Sequence, residues 1–344
     1  RTFSVAFTDT DPAMNRMLAA NEARLFLSED SQSLVSIDKT EMEGVQYNSV
    51  QFGPGNSTLL AHPFIFTVRP GRDHVNGGNA AQLTTLLTLY DNAGEHFLPG
   101  ADTSRAPGTQ HLARAQVLMF VFDPTQDVRF RQKLQQVSTD PQLAAGRRTV
   151  RQDQLLVEMA RRVRMHAGLA PQERIRKPLF VLMSKSDIWS RLLVDERGHP
   201  MDVETAPFSV ERPGLGKMGI RKVDRTSARL RELLMAFAPE VVTAAEDAFE
   251  RVIYVPVSAT GCSPVLDQAS GLLKMHVGAI KPAWCSVPFA YALARWSTHL
   301  IASDKSEQGD DFYGEPDAAV SNAAESGAPR AGARQSPGGG AHGA

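Results

Sequence analysis

Short, continuously apolar runs alternate along this chain with longer stretches of helical periodicity. Each run has the length of one buried strand, and the runs span residues 63–68, 84–90, 117–122, 179–183 and 252–257. Strands that are apolar throughout are typical of a sheet that is covered on both faces. Because helical stretches separate the runs, the pattern predicts an α/β fold with a mostly parallel sheet and helices on both faces.

Helical periodicity fills most of the intervals between these runs. The predicted helices span 12–26, 104–115, 128–136, 155–165, 226–236, 241–250 and 289–301. Pro12 suits the first turn of the first helix, and the aspartates just before it can cap that helix. Residues 190–222 are rich in Gly, Pro and charge, which predicts an insertion. Residues 303–344 have a composition typical of a disordered tail, which would follow one domain spanning 1–302.

Charge and cysteine content argue against several classes of function. The chain has 37 basic and 38 acidic side chains, so its overall balance gives no reason to expect nucleic-acid binding. Its two cysteines lack a CxxC spacing, which fits a reducing, cytoplasmic setting better than a metal cage. No apolar run approaches the roughly 20 residues that cross a bilayer, so we expect no membrane span.

The apolar run at 84–90 ends in an Asp-x-x-Gly motif formed by Asp91 and Gly94. A carboxylate at a strand end can hold magnesium through a water molecule, and the metal would neutralise phosphate charge. Gly94 would let the backbone approach a γ-phosphate and change conformation after the phosphate leaves. An ordinary strand-to-loop turn can carry the same motif, so this signature gains meaning only beside others.

The run at 179–183 ends in a second polar signature, Ser-Lys-Ser-Asp, which includes Lys185 and Asp187. Guanine presents a ring N–H beside an amino group, and one carboxylate such as Asp187 can accept hydrogen bonds from both. Adenine lacks that amino group, so a fixed carboxylate selects against it. The aliphatic stem of Lys185 can cover one face of the base. A helix cap after a buried strand is the alternative interpretation.

The run at 252–257 is followed by a third short signature, which begins with Ser258 and Ala259. Backbone N–H groups of such a turn can bond the guanine carbonyl oxygen, and the small Ala259 leaves room for the ring. Ligands of parallel α/β sheets bind beyond the carboxyl ends of the strands. We therefore expect Asp91, residues 184–187 and residues 258–259 to lie along one rim of the sheet.

In order and spacing, these three signatures resemble motifs of the P-loop GTPase superfamily, and they are most similar to those of bacterial double-GTPase-like domains. The resemblance covers roughly residues 45–301. It implies a cytoplasmic molecular switch that binds GTP with Mg2+, hydrolyses it and acts on a protein partner. By this resemblance Asp91 and Gly94 contact magnesium and the γ-phosphate.

The same resemblance assigns the guanine-binding residues. Ser184, Lys185 and Asp187 take the place of the base-recognition motif, and Ser258 and Ala259 support the base. Ser184 departs from the family pattern, which usually has Asn at that position. Its hydroxyl could still tie the motif to a phosphate loop, with a shorter reach.

Three further residues are candidates for the metal site and for hydrolysis. Thr58 precedes a predicted strand and resembles the switch threonine that meets magnesium. Glu95 occupies the position where many GTPases keep a water-orienting Gln, and a carboxylate there can act as a base or repel the γ-phosphate. His96 is a second candidate for orienting water. Ordinary turn and solvent-facing roles for Thr58 and His96 stay open.

The phosphate-binding loop of this superfamily does not occur in residues 1–344. The sequence has no Gly-x-x-x-x-Gly-Lys-Ser/Thr, and the nearest similar stretch, at 214–218, lacks the hydroxyl residue and follows the base motif. The chain begins with Arg1 rather than Met. We therefore expect an N-terminally truncated domain whose first strand, phosphate loop and first helix lie upstream.

Two other functions remain open on the sequence. A degenerate, non-catalytic GTPase fold that serves as an interaction module would explain the missing loop without truncation. An ATPase of the same superfamily would explain Ser184. A dehydrogenase is disfavoured because no Gly-x-Gly-x-x-Gly follows any predicted strand.

Overall fold

Strands and helices alternate through most of the described chain. This computed structural model describes residues 2–36, 47–51, 57–98, 109–144, 151–210, 216–297 and 300–304. Its strands are β1 (Val5–Asp9), β2 (Leu34–Val35), β3 (Tyr47–Gln51), β4 (Ser57–Ala61), β5 (Pro63–Pro70), β6 (Thr85–Tyr90), β7 (Leu118–Phe122), β8 (Leu179–Met183), β9 (Phe208–Val210), β10 (Gly216–Met218), β11 (Val252–Pro256), β12 (Val265–Leu266), β13 (Leu273–His276) and β14 (Ala302–Ser303). Its helices are α1 (Arg16–Phe26), α2 (Ala80–Leu83), α3 (His111–Arg114), α4 (Val128–Leu134), α5 (Gln152–Ala167), α6 (Ser186–Trp189), α7 (Ile220–Phe237), α8 (Pro239–Ala248) and α9 (Val287–Trp296).

A three-stranded parallel sheet, in the order β11-β8-β7, carries the centre of the fold. Its register sets Val181 beside Phe120 on one side and beside Tyr254 on the other. These three side chains are buried in one hydrophobic cluster with α4, α5 and α8. Phe180 and Ile253 face the opposite way and pack in a second cluster with α9. The prediction of an α/β fold with a parallel sheet is confirmed for these strands, and helices cover both of their faces.

A second sheet, in the order β1-β5-β6, is antiparallel throughout. The predicted strands at 63–68 and 84–90 both belong to it, so the expectation of a mostly parallel sheet is too broad. The connection from β5 to β6 holds only a 3-10 turn (Gly77–Asn79) and the single-turn helix α2. Parallel neighbours need a longer crossover, usually a full helix, and the chain instead returns antiparallel.

The first helix begins four residues later than the periodicity predicts. α1 starts at Arg16, and Asp11, one of the aspartates predicted as a cap, accepts from the Met14 amide at 3.2 Å in the turn before it. The side chain of Asn15 makes tertiary hydrogen bonds and no cap. Its Nδ2 donates to Asp9 Oδ1 at 2.6 Å and to the carbonyl of Ile65 at 2.8 Å, and its Oδ1 accepts from the Ile65 amide at 3.0 Å. Residues 11–15 therefore form a turn that is tied to β1 and β5.

The segment predicted as an insertion, 190–222, contributes to the core. Its strands β9 and β10 pair with each other, and β10 also pairs with β14 in parallel. Met218 and Ile220 are fully buried in the second cluster, and α7 begins at Ile220 rather than at 226. Gly and Pro content predicts turns in this segment, but the short buried strand β10 carries little periodicity.

Two other predicted segments are only partly described. Of the helix predicted at 104–115, the structure describes 109–115, where α3 forms a single turn, and residues 104–108 lie outside the described residues. The predicted disordered tail lies almost wholly outside them as well. The compact unit that contains every described residue ends at Glu307. Within that part, no helix is long and apolar enough to cross a membrane.

Candidate functional site

The carboxyl ends of β7, β8 and β11 form one rim that carries several polar side chains. Ser184 joins the first two strands, since its amide and its hydroxyl both donate to the Phe122 carbonyl, at 2.8 Å and 3.0 Å. The Ser186 amide donates to the Val257 carbonyl at 3.0 Å and joins β8 to the end of β11. The parallel register thus brings residues 184–187 beside Ser258, as the sequence predicts.

Lys185 occupies a left-handed backbone conformation between β8 and α6, with a φ of 57°. This conformation costs a non-glycine residue roughly 1–2 kcal/mol. It turns the side chain back over the strand ends, where Nζ donates to Asp123 Oδ2 at 2.8 Å and to Thr125 Oγ1 at 3.0 Å. The ammonium group is therefore engaged by the protein, and the aliphatic stem of Lys185 is the part that can cover a planar ligand.

Asp123 is the acidic partner of this rim, and it directly follows β7. Burial by itself would raise the pKa of Asp123, but the charge and hydrogen bond of Lys185 outweigh it. Hydrogen bonds from Thr125 and Gln126 add to that effect, so the pKa lies below its ordinary value. Asp123 is thus a stable carboxylate that fixes the lysine in place.

Asp187 stands at the opposite end of the rim and is held by Ser258. Ser258 Oγ donates to Asp187 Oδ1 at 2.5 Å and accepts from the Gly261 amide at 2.8 Å. Ser258 is buried, whereas Asp187 as a whole residue is exposed. Partial burial of the carboxyl group raises the pKa of Asp187, and the hydrogen bond from Ser258 offsets part of that rise. The carboxylate is oriented and faces outward.

The loop after β11 that carries Ser258 is tightly constrained. Ser258 and Ala283 exchange two backbone hydrogen bonds, and the Lys281 amide donates to the Thr260 carbonyl at 2.7 Å. Gly261 has a φ of +65°, and a Cβ atom there would lie 1.9 Å from the Lys281 carbonyl oxygen. Only glycine fits at this position. Ala259, the residue after Ser258 in this loop, is exposed.

Asp91 and Gly94 belong to the other sheet, because they follow β6 rather than a strand of the parallel sheet. The turn that contains them packs on the β3–β4 hairpin. In that contact the buried Ala93 amide donates to the Tyr47 hydroxyl at 2.7 Å. The structure therefore brings residues 184–187 and 258–259 together on one rim and places Asp91 and Gly94 at the end of a separate sheet.

The remaining candidates for metal binding and catalysis are described only through their backbone. Thr58 lies in β4 opposite Val50, in the hairpin that contacts the Asp91–Gly94 turn. Glu95 and His96 lie in a 3-10 turn, Gly94–Phe97. The side chains of all three lie outside the described residues. Over the described ranges, no three His, Cys, Asp or Glu side chains converge as a metal-binding group. Of the two residues predicted to bind magnesium, only Asp91 has a side chain that the structure describes.

Sequence reasoning missed two residues of the rim. Asp123 follows an apolar run, just as Ser184 does, so the same rule could have found it. Gly261 follows Ser258 by three residues, but its left-handed conformation depends on the approach of Lys281, which lies on a distant loop. Local sequence gives no signal for that approach.

Known proteins offer no external guide to the site. Comparisons of this chain with models of protein families, with curated proteins and with solved structures gave no match. The geometry of the rim and the chemistry of its side chains therefore carry the functional argument.

Proposed function

We propose that this chain is a GTP-binding domain whose rim at β8 and β11 recognises the guanine base. The observation that carries the proposal is the placement of Asp187, Lys185 and Ser258 on one rim of a parallel sheet. Such rims are where α/β proteins bind ligands. The proposal assigns each of these residues a part in holding a planar, hydrogen-bonding base.

Asp187 would accept the ring N–H and the amino group of guanine. Ser258 already donates to its Oδ1, but each carboxylate oxygen can accept two hydrogen bonds, so capacity remains. The stem of Lys185 would cover one face of the base while its ammonium stays on Asp123. Ala259, small and exposed, would leave room for the carbonyl edge, which the backbone amides of its loop would bond.

The phosphate and metal half of the proposal depends on the turn that follows β6, in a separate sheet from the rim, and on the hairpin packed on that turn. Asp91 and Thr58 would hold magnesium, and Gly94 would approach the γ-phosphate. Glu95 and His96 would position the attacking water. Magnesium would supply charge neutralisation at the phosphates. Hydrolysis would then release the turn at Asp91–Gly94 and the hairpin packed on it, which makes the domain a molecular switch with a protein partner.

Base selectivity tests this proposal most sharply, because it is expected to invert in one variant. GTP, ATP and XTP are titrated at millimolar concentration while the backbone amides of residues 184–187 and 258–261 are followed by NMR. We expect GTP to shift these amides more strongly than ATP. In Asp187→Asn the carboxylate acceptor pair becomes one acceptor and one donor, which suits xanthine.

The variant should therefore bind GTP about 10- to 100-fold more weakly, the loss of one charge-assisted hydrogen bond, and should prefer XTP. Asp247→Asn, a substitution of an exposed aspartate on α8, is the matched control and should change neither preference. Equal shifts with GTP and ATP, or an unchanged preference in Asp187→Asn, would overturn the guanine assignment. A preference for ATP would favour the ATPase alternative.

A non-catalytic interaction module is the second candidate function. It is favoured by the lack of a phosphate-loop motif in residues 1–344 and by the ion pair that already engages Lys185. Under this alternative the rim would be a structural remnant. No nucleotide would then perturb the rim amides at any concentration, although the fold would be intact.

A further inference from the structure

A small cavity lies between α3 and the C-terminal turn of α5. Its volume is about 280 Å3, and its described lining residues are Gln110, Ala113, Arg114, His166 and Ala167. This volume is close to the lower end of the range for small-molecule sites, about 300–1000 Å3. Of the described lining side chains, only those of arginine and histidine can carry a charge, and that charge is positive. The lining therefore favours an anion.

Arg114 supplies a guanidinium group to the lining of this cavity. Arg114 is exposed on α3, and its side chain makes no hydrogen bond or ion pair within the part of the chain that the structure describes. A guanidinium group has five N–H donors in a fixed planar fork. It can therefore bind two oxygen atoms of an anion without breaking a described contact.

Arg162 lies one helical turn before His166, on the same side of α5, and is fully buried. Its Nε donates to Glu158 Oε1 at 2.9 Å, and its guanidinium carbon lies 5.3 Å from the centre of the Phe97 ring. These contacts hold the group in place, yet neither of its Nη atoms has a hydrogen-bond partner among the described residues. Because unpaired buried donors cost free energy, this charge favours an anion nearby.

The arginine charges around the cavity exceed the acidic charge that pairs with them. Glu158 pairs with Arg162 and also with Arg161, at 2.7 Å, so one carboxylate serves two guanidinium groups. With Arg114, two of these three arginine charges are left unbalanced. The charge of Arg162 also acts at the cavity, because burial and then Arg162 lower the pKa of His166. Two unbalanced positive charges match a dianion.

We propose that this cavity binds a phosphoryl group, carried by free phosphate or by a small phosphomonoester. Such a group has close to two negative charges at pH 7 and three strong acceptor oxygens. Arg114 and Gln110 donate to these oxygens from the α3 side, and His166 donates from the α5 side. Arg162 stays buried and adds its charge from one helical turn away. The cavity shares no residue with the rim that carries Asp187.

A phosphoryl group suits these donors better than a carboxylate does. Its oxygen atoms point in several directions, so donors from two separate helices bind it together. A carboxylate has two oxygens in one plane, and a single guanidinium fork satisfies both. His166 keeps a donor for the ligand, since Thr109 Oγ1 lies 3.1 Å from its Nε2. With the hydroxyl as donor there, the ring proton is on Nδ1 and can bond the ligand.

Anion titration of the 344-residue chain tests the proposal. Inorganic phosphate, glycerol phosphate and acetate are added in turn at constant ionic strength, and the amides of residues 110–115 and 165–168 are followed by NMR. We expect saturable shifts with both phosphates, with affinities about tenfold higher than for acetate. Bound phosphate should also raise the pKa of His166, because an anion favours the protonated ring. Tighter binding of glycerol phosphate would identify a phosphomonoester as the ligand, and tighter binding of inorganic phosphate would identify the free ion.

Two charge-matched variants separate the cavity from the overall charge of the protein. Arg114→Gln should weaken phosphate binding about tenfold, the loss of one charge-assisted contact, and the exposed position should leave the circular dichroism unchanged. Arg225→Gln removes the same charge from an exposed position on α7, outside the described lining, and should bind phosphate as the parent chain does. Asp187→Asn should bind phosphate equally well, so failure of the base assignment does not affect this test.

Three results would overturn the proposal. The first is the absence of saturable shifts with either phosphate. The second is an affinity for acetate equal to that for phosphate, which would make the cavity a general site for weak anion association. The third is unchanged phosphate binding in Arg114→Gln, or an equal loss in Arg225→Gln, which would assign the shifts to overall charge.

Discussion

Lys185 and Asp123 form an ion pair between the ends of β8 and β7, with 2.8 Å between Nζ and Oδ2. The two side chains are 29 % and 14 % exposed, so water screens this pair less than a surface pair. Residues 62 positions apart in the sequence thus fix the conformation of the turn between β8 and α6. The pair accounts for the left-handed backbone at Lys185, because that conformation brings the amine over the end of β7.

Removal of the lysine should destabilise the fold. In Lys185→Met the Asp123 carboxylate keeps only neutral donors in a partly buried place, and we expect a loss of about 1–3 kcal/mol in the free energy of unfolding. Urea denaturation measures it. Arg151→Met removes one partner of an exposed pair with Asp153, which water screens, and should lower the free energy of unfolding clearly less than Lys185→Met does. Equal losses in the two variants would contradict a special role for the Lys185 pair.

Because the pKa of Asp123 is lowered in the folded chain, the free energy of unfolding should fall as the solution becomes acidic. The unfolded chain binds a proton at the ordinary value of 3.8, whereas the folded chain binds it only at lower pH. The contribution of Asp123 is therefore present above about pH 3.8 and is lost as the pH falls through the folded-state pKa. Asp123→Asn should flatten this acid limb of the unfolding free energy, as measured by urea denaturation between pH 2 and 7.

Asp187 should affect the pH dependence of the unfolding free energy in the opposite direction. Burial raises its pKa above the ordinary 3.8, so the folded chain binds this proton more tightly than the unfolded chain does. Its charged form opposes folding at neutral pH, and this penalty disappears as the pH falls through the raised pKa. We expect Asp187→Asn to be slightly more stable than the parent chain at pH 7 and to lose that advantage near pH 3. A destabilised variant at pH 7 would contradict this sign.

Gly261 should tolerate no side chain. Gly261→Ala adds a Cβ atom 1.9 Å from the Lys281 carbonyl oxygen in a left-handed conformation, and we expect a loss of more than about 2 kcal/mol in the free energy of unfolding. Gly271→Ala is the matched control, with a φ of +68° and open space around the added Cβ. It should cost only about 1 kcal/mol, from the backbone alone. Similar losses in the two variants would mean that the backbone at Lys281 moves away from the added Cβ atom at little cost.

Tyr47 should anchor the β3–β4 hairpin on the turn at Asp91. Tyr47→Phe leaves the buried Ala93 amide without its acceptor, which should cost about 1–3 kcal/mol and speed hydrogen exchange at Ala93. Tyr90→Phe is the control, because its ring stacks on His111 and the ring is kept. Hydrogen exchange that stays slow at the Ala93 amide in Tyr47→Phe would show that another acceptor replaces the hydroxyl.

The strands of the parallel sheet were predictable because burial leaves a local record in the sequence. The apolar runs at 117–122, 179–183 and 252–257 correspond to β7, β8 and β11 within one residue at each end. Polar residues directly after those runs therefore mark the rim, and residues 184–187 and Ser258 do meet there. Periodicity records which side chains are buried, so it locates strand ends well.

Strand partners were less predictable, because pairing joins residues that are far apart in sequence. Residues 63–68 and 84–90 have the composition of parallel strands, yet they pair antiparallel with each other. Asn15 shows the same limit at a helix start, where its side chain bonds the backbone of Ile65 rather than an amide of the first helical turn. Both cases depend on contacts across the fold that no local pattern encodes.

By itself, the sequence determined the α/β class, the positions of the long apolar strands and the polar residues that follow them. Exclusion of water from a buried strand leaves a pattern of apolar residues that each segment carries on its own. Tertiary structure alone decided that Asp91 lies on a different sheet from Asp187, that Asp123 holds Lys185, and that a cavity lies between α3 and the end of α5. These features depend on hydrogen bonds and packing between distant segments, whose energies are set by geometry after the chain has folded.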